Sequence, residues 1–488
     1  MEPARIHITT YGCQMNRLDS ELVQEVLLAA GAEVVDDPAR ANVLLFITCA
    51  VRAHAEDRVF SNIGKLAARK RRQPGLVVGL LGCMAQEHGP AVRRRAPLVD
   101  LVCAPGRLAD LPDLIAAARA GRPAAALDPS RDASGAAAFA ASDAALDAAE
   151  IRRTLGPAVP GQAYVVAMRG CDNFCSYCVV PFVRGPERSR EPAAVLEEVR
   201  RLVGQGARQI TLLGQAVNQY AAAQGRDREG AASWRAGRRW DLADLIEKAA
   251  DTPGLSRLYF ITNHPKAFQE RLARVFRDVP HVCPYLHMPA QSGADAVLER
   301  MNRGYTAAEY LDRVAMVRSA RPDVAVASDF IVGFPGETEA DFAATCDLVR
   351  RVRFSGAFVF KYSPRPATPA ARRWADDVPD AEKRRRHGAL LALVESIAAE
   401  ENQAFVGRTV RVFVEELSPR GGQARRLNGR GTSSANPQSA TGNPQLRGRT
   451  PCRRIVVFDG PPTLVGGETG VQIHRATALT LFGTMQKT

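Results

Sequence analysis

Apolar positions in the first hundred residues fall into short β-branched runs separated by stretches of helical period. The runs "IHITTYGC", "NVLLFITC" and "LVVGLLGC" end at Cys13, Cys49 and Cys83, with spacings of 36 and 34 residues. A strand–helix–strand unit takes roughly 30 residues or more. The repeat therefore predicts a parallel sheet with helices on its faces. Strands in such a sheet point one way, and ligands gather at their carboxyl edge. Three cysteines at equivalent strand ends converge there if the strands are neighbours. A fourth run, "LVDLVC", ends at Cys103, which reads more readily as a small residue at a strand end than as a further ligand.

The pattern then lapses. Residues 114–150 are rich in Ala, mixed with Gly, Ser, Asp and Pro, and read as a helix running out into a linker over 126–158. From 163 to about 375 strand and helix periods alternate again. "AYVVAMRGC", "QITLLGQ", "LSRLYFIT", "HVCPYLHMPAQSG", "DVAVASDFIVGFPGET" and "GAFVFKYSPRPATPA" are strands with their following loops, and "REPAAVLEEVRRLVGQGA" is an amphipathic helix. About six βα units predict a full or partial barrel with its site at the strand carboxyl ends. The stretch 221–240 reads as an inserted surface loop, and 380–402 as a charged helix. Beyond it, "TVRVFVEEL", "RRIVVFDG" and "VQIHRATALTLFG" alternate with period two, the mark of a small antiparallel barrel. The polar stretch "GTSSANPQSATGNPQ" predicts a disordered loop, and the tail loop at 428–447 interrupts that barrel. The expected fold is thus α/β: a parallel sheet domain (1–125), the linker, a partial (β/α)6 barrel (159–400) and a small β-barrel (403–488).

Charge adds a partner class. The net charge is +13, and residues 401–488 hold 12 Lys/Arg against 5 Asp/Glu. An anionic partner is expected, nucleic acid first, although a solvated Arg-rich surface gives the same total. The opening "MEPARIHITTYGC" has no basic leader followed by an apolar stretch, and no run approaches the ~20 apolar residues of a membrane span. A cytoplasmic, membrane-free protein is expected. Ten cysteines in such a chain point to metal or redox chemistry rather than disulfides.

The densest cysteine run is "RGCDNFCSYCVVPFVRG", with Cys171, Cys175 and Cys178 spaced C-x3-C-x2-C after a strand. Zinc sites pair one C-x2-C with another, and the chain has no second one. Three thiolates suit three irons of a 4Fe–4S cubane, leaving one iron open. An open iron can bind a small ligand and pass it an electron; with S-adenosylmethionine, reduction yields a carbon radical.

This run, with Tyr177 before its last cysteine, resembles the radical S-adenosylmethionine (SAM) enzymes. "YGCQMNRLDSE", "TCAVR", "GCMAQ", "LLGQAVNQY", "HMPAQSG", "SDFIVGFPGETEADF" and "KYSPRPATPA" extend the resemblance, in order, to the methylthiotransferases, and "YGCQMN" and "RGPERSR" to their tRNA branch. The resemblance implies an amino-terminal domain, a radical SAM barrel and a carboxyl-terminal TRAM barrel that binds RNA. It implies two 4Fe–4S clusters: a radical-generating one on Cys171, Cys175 and Cys178, and an auxiliary one on Cys13, Cys49 and Cys83 that carries the inserted sulfur. One SAM would donate a methyl group to that sulfur. A second would be cleaved to a 5′-deoxyadenosyl radical that takes hydrogen from C2 of an adenine, so that N6-isopentenyladenosine beside the anticodon gains a methylthio group. A flavodoxin- or ferredoxin-type reductant, a sulfur donor, tRNA as partner and a monomeric state are also expected.

Supporting positions follow. Gln215, Asn218, Gln291 and Ser292 stand at expected strand ends, where each either hydrogen-bonds SAM or substrate or caps a turn. Gly333, Gly336 and Glu337 of "IVGFPGET" are expected beside the adenosyl part. Arg184, Arg188 and Arg190 would meet tRNA phosphate or lie on a solvated basic loop. Departures from the family pattern are Ile47 and Ala216, where Asn is usual, and Cys103, where Gly is common; none removes an expected cluster ligand. Competing readings are methylthiolation of a ribosomal-protein aspartate or of threonylcarbamoyladenosine in tRNA, and a non-catalytic RNA-binding iron–sulfur protein.

Overall fold

The computed structural model describes residues 3–50, 53–129, 136–152, 159–222, 239–418 and 444–486. The first body is a six-stranded sheet: β1 (Arg5–Thr10), β2 (Glu33–Val34), β3 (Val43–Thr48), β4 (Val77–Gly82), β5 (Leu101–Cys103) and β6 (Ala124–Ala126). Their spatial order is β2-β1-β3-β4-β5-β6, all parallel. β3 and β4 are buried at every position, as continuous apolar runs require when helices cover both faces. Val43, Leu45 and Ile47 join Ile6, Leu18 and Leu22 on one face. Leu44 and Phe46 join Val59, Ile63, Val78 and Leu80 on the other.

The second body is the expected barrel. Strands β7 (Gln162–Val166), β8 (Gln209–Leu213), β9 (Arg257–Phe260), β10 (Tyr285–His287), β11 (Ala325–Val332) and β12 (Gly356–Lys361) form two parallel triplets, β9-β8-β7 and β10-β11-β12. An isolated bridge from Leu258 of β9 to Val282, just before β10, links them. Val165, Ile210, Leu212, Leu258, Phe260, Val326 and Phe330 pack against the outer helices in one large core. The alternate positions face the lumen, because successive side chains of a strand point to opposite sides.

The third body is a closed five-stranded barrel: β13 (Thr409–Leu417), β14 (Gln445–Arg449), β15 (Ile455–Asp459), β16 (Glu468–Ala476) and β17 (Thr480–Met485), in the order β13-β14-β15-β17-β16. One pair, β15 with β17, is parallel. This corrects the all-antiparallel expectation: β16 lies between them in sequence and sends the chain back. The barrel docks on the amino ends of the central strands. Arg257, the first residue of β9, is an ion-pair partner of Glu468 and donates to the Arg449 carbonyl at 2.9 Å. Arg453, in the β14–β15 turn, reaches the lumen. Its guanidinium lies 4.4 Å from the Tyr259 ring centroid and 5.5 Å from that of Tyr285, and donates to Thr211 Oγ1 at 3.3 Å.

Two expectations about connecting segments change, and a third lies mostly outside the described residues. The presumed linker contains a helix, Ala136–Arg152; alanine is the strongest helix former. Its Asp143, Asp147 and Glu150 lie on one face and pair with Arg188, Arg169 and Arg190. The inserted loop 221–240 falls outside the described residues except at its ends, where Ala221–Ala222 pairs with Trp240–Asp241. The tail loop placed at 428–447 ends earlier than expected, since β14 starts at Gln445; 419–443, with most of the polar stretch, lie outside the described residues.

Arg190 is the most enclosed of these cations. It lies 2.7 Å from Glu198, 3.0 Å from Glu150 and 2.8 Å from Asp147, and its side chain is 1% exposed. Arg190→Ala leaves two buried carboxylates facing each other. The expected cost is about 3–5 kcal/mol, read as a lower denaturant midpoint; a shift below 1 kcal/mol would mean that the carboxylates find other partners.

Candidate active site

The carboxyl edge of the amino-terminal sheet brings its cysteines together. β1, β3 and β4 are adjacent, and Cys13, Cys49 and Cys83 follow their ends. Glycines before two of them permit the approach. A Cβ on Gly12 (φ +117°) would stand 2.6 Å from Cys49 Cβ, and one on Gly82 (φ +90°) 2.6 Å from the Thr48 carbonyl oxygen. The Cys13 thiol is hydrogen-bonded with Cys49 and lies beside Arg184, and its pKa falls to about 6. Burial pushes the Cys83 thiol up, against the pull of Arg184, whose Nε donates to Cys83 Sγ at 3.2 Å. Cys103 stands apart: its buried thiol donates to the Arg107 carbonyl at 3.2 Å.

The second trio sits on the loop after β7. Ser176 straps this loop to the neighbouring segment, its N–H on the Met301 carbonyl (2.9 Å) and its hydroxyl on the Arg300 carbonyl (2.7 Å). Two donors aim at sulfur. Asn173 Nδ2 lies 3.3 Å from Cys171 Sγ, and Arg303 Nη1 lies 3.2 Å from Cys175 Sγ. Arg303 is held by Pro289 O and Tyr305 OH. Burial raises the pKa of Cys178, and the neighbouring Cys175 and Cys171 raise it further. Three cysteines in mutual electrostatic contact, with N–H groups directed at their sulfurs, fit a thiolate-held cluster.

The two cysteine-bearing segments meet, and Cys178 lines a cavity beside the junction. Cys83 packs with Ala50, Val179 and Val183, so the amino-terminal edge meets the chain just after Cys178. A cavity of about 810 Å³ opens there. Ala50 and Arg58 line it from the first body, Tyr177 and Cys178 from the loop, and Gln291, Asp329, Ile331, Phe360 and Tyr362 from the barrel. At its base His287 Nε2 lies 3.5 Å from Asp329 Oδ2. His264, within the barrel, is held neutral; burial, Arg303 and Lys266 lower its pKa to about 2.

Among the expected supporting residues only Gln291 lines this cavity; its φ is +71°. Asn218 ties two loops, donating to the His264 carbonyl (2.9 Å) and accepting from the His264 N–H (2.7 Å). The Ser292 hydroxyl accepts from the Ala294 N–H at 3.2 Å and contacts Thr345 Oγ1. Glu337 accepts from the Gly333 N–H (2.6 Å) and from Arg386 (2.7 Å), which shapes the turn. Gly336 donates to Asp377, and at Gly333 the near neighbour is the Lys383 side chain. Gln215 lines a narrow gap with Met15, Asp19 and Arg184. The expectation of phosphate contacts fails for Arg184, Arg188 and Arg190, whose guanidinium groups are committed to Asp19, Asp143 and Glu198. Sequence reasoning passed over Arg303, Asn173 and Asp329. Asn173 lies inside the cysteine run, and Asp329 directly precedes "FIVGFPGET"; no signal marked Arg303.

A tRNA-2-methylthio-N(6)-dimethylallyladenosine synthase of Rhodopirellula baltica is 42% identical over 484 residues, 99% of this chain and 95% of that one. This chain belongs to that family. The synthase of the same name from Xanthomonas axonopodis pv. citri is 40% identical, covering 100% of this chain and 92% of that one. Two family models match: the uncharacterized protein family UPF0004 over residues 5–104, and the radical SAM superfamily over 165–349. The family is a radical SAM enzyme family, which uses a 4Fe–4S cluster and SAM. The likeness to a solved radical SAM methyltransferase of Kitasatospora setae supports the fold alone, at a TM-score of 0.50, 16% identity and 75% coverage of each chain. No helix among the described residues is long and apolar enough to cross a membrane.

The thiols should separate by reactivity. In metal-free protein, Cys13 should be alkylated faster at pH 7 than Cys83, Cys171 or Cys178. Its rate should rise with pH through a midpoint near 6, as thiolate supply dictates. Peptide mass mapping after timed iodoacetamide exposure reads this; equal rates for all four would contradict the assigned environment of Cys13.

Proposed function

We propose that this protein converts N6-isopentenyladenosine (dimethylallyladenosine) at position 37 of tRNA into its 2-methylthio derivative. The observation that carries the reading is the packing of Cys83 of one trio against the chain just after Cys178 of the other, beside a cavity that Cys178 lines, on a chain about 40% identical throughout to synthases of that name. Cys171, Cys175 and Cys178 would hold a 4Fe–4S cluster that cleaves SAM, and Cys13, Cys49 and Cys83 a second that presents the sulfur. When bound, these groups and SAM supply hydrogen abstraction, sulfur and methyl.

The chain's own residues prepare the site. Arg303 and Asn173 fix the sulfurs of Cys175 and Cys171. Ile331, Phe360 and Tyr362 give the cavity an apolar wall that suits a flat base with an isoprenoid tail and keeps water from a reactive carbon. Asp329 and Gln291 offer polar contacts to the base. The adenine must leave its stack to enter. The carboxyl-terminal barrel, with +7 of the net charge in residues 401–488, suits backbone contact rather than sequence readout. A flavodoxin- or ferredoxin-type protein would supply electrons, and a separate donor would replace the sulfur.

Cys175→Ala should abolish 5′-deoxyadenosine formation by the anaerobically reconstituted enzyme; formation at the wild-type rate would sink the assignment. Mass spectrometry of tRNA nucleosides from cells lacking the gene should show N6-isopentenyladenosine in place of its 2-methylthio form. Unchanged 2-methylthio-isopentenyladenosine would instead favour methylthiolation of a ribosomal-protein aspartate.

A further inference from the structure

Arg184 occupies an unusual place. It follows the short helix Val180–Val183, which continues directly from the radical cluster loop. Its side chain nevertheless lies in the amino-terminal body, only 9% exposed. Nε donates to Cys83 Sγ at 3.2 Å. Nη2 lies 2.6 Å from Asp19 Oδ2 and 3.4 Å from Asn16 Oδ1, and Nη1 lies 3.4 Å from Asp19 Oδ1. Asn16 Oδ1 in turn lies 3.6 Å from Cys13 Sγ. Asp19 and Asn16 belong to the helix Gln14–Ala29 that Cys13 caps.

The planar fork is therefore gripped on one side by the Asp19 carboxylate, which leaves its Nε–H fixed on a cysteine sulfur. An ammonium group cannot reproduce this arrangement, because it lacks the rigid fork. A desolvated cation that donates to a cluster thiolate stabilises the electron-rich, reduced form, and hydrogen bonds to sulfur are among the levers that set cluster potentials.

We propose that Arg184 is a positioning residue for the amino-terminal cluster: it orients Cys83 for ligation and raises that cluster's reduction potential. This rests on the assignment of Cys13, Cys49 and Cys83 as cluster ligands. Because Arg184 is carried by the radical loop's own continuation, the electronic state of the sulfur-bearing site depends on the correct seating of the radical domain.

The test uses full-length protein in which Cys171, Cys175 and Cys178 are all replaced by Ala, so that only the amino-terminal cluster remains after anaerobic reconstitution. Redox titration followed by electron paramagnetic resonance is compared with and without Arg184→Gln, Arg184→Lys and Asp19→Asn. Arg184→Gln should move the midpoint to a more negative potential and alter the line shape of the reduced cluster. Arg184→Lys should recover only part of the shift. Asp19→Asn loosens the fork and also removes an anion that opposes the cation, so it should alter the line shape of the reduced cluster, and it gives that readout if Arg184→Gln does not hold iron. An unmoved midpoint and line shape in Asp19→Asn and in whichever Arg184 variant holds the cluster would overturn the role of Arg184. Absence of a four-iron cluster in the parent triple variant would instead overturn the ligand assignment, before Arg184 is altered.

Discussion

Between residues 169 and 190 four arginines, three with nearly buried side chains and Arg188 partly exposed, are each held by a carboxylate from another element of the chain. Arg184 takes Asp19 of the first body; Arg188 and Arg169 take Asp143 and Asp147 of the helix 136–152; Arg190 takes Glu150 and Glu198. Desolvating a charge costs several kcal/mol, and only a close, well-oriented partner repays it. These pairs therefore tolerate little displacement. Arg184 with Asp19 ties the segment after the cysteine loop to the amino-terminal body, and the other three tie the flanks of that loop to the helix 136–152 and to Glu198.

Within that frame the division of labour is chemical. The cysteines sit where N–H donors can be aimed at sulfur, from Asn173, Arg184 and Arg303. The cavity beyond them is largely apolar in surface, with two carboxylates in its lining, Asp380 and Asp329, the latter set beside His287. Ile331, Val359, Phe360 and Tyr362 supply its aromatic and branched wall. The helix at 136–152 has no place in the cavity; it acts by fixing the arginines that flank the loop.

Much of this was legible in the chain. The strand–helix repeat put Cys13, Cys49 and Cys83 at equivalent strand ends on one edge, and the sheet order made those strands neighbours. The C-x3-C-x2-C spacing is local and survives any uncertainty about the fold. What escaped was long-range pairing of charge. Arg184, Arg188 and Arg190 look from sequence like a basic loop awaiting phosphate, since their acidic partners lie up to 165 residues away. Asn218, Ser292 and Glu337 likewise sit where binding residues are expected, yet their hydrogen bonds close turns within the protein. Polar residues at strand ends serve both purposes, and composition does not separate them. The Ala-rich segment reads from sequence as a helix running out into a linker, and nothing local to it marks the arginines that its acids pair with.

The arrangement of the carboxyl-terminal barrel has a geometric corollary. Arg453 is threaded into the foot of the central barrel and stacks on Tyr259 and Tyr285, while Arg257 is locked to Glu468. The small barrel is thus mounted on its larger neighbour as a caliper jaw is mounted on its beam. Anything that contacts both barrels at once therefore meets two surfaces at a set separation.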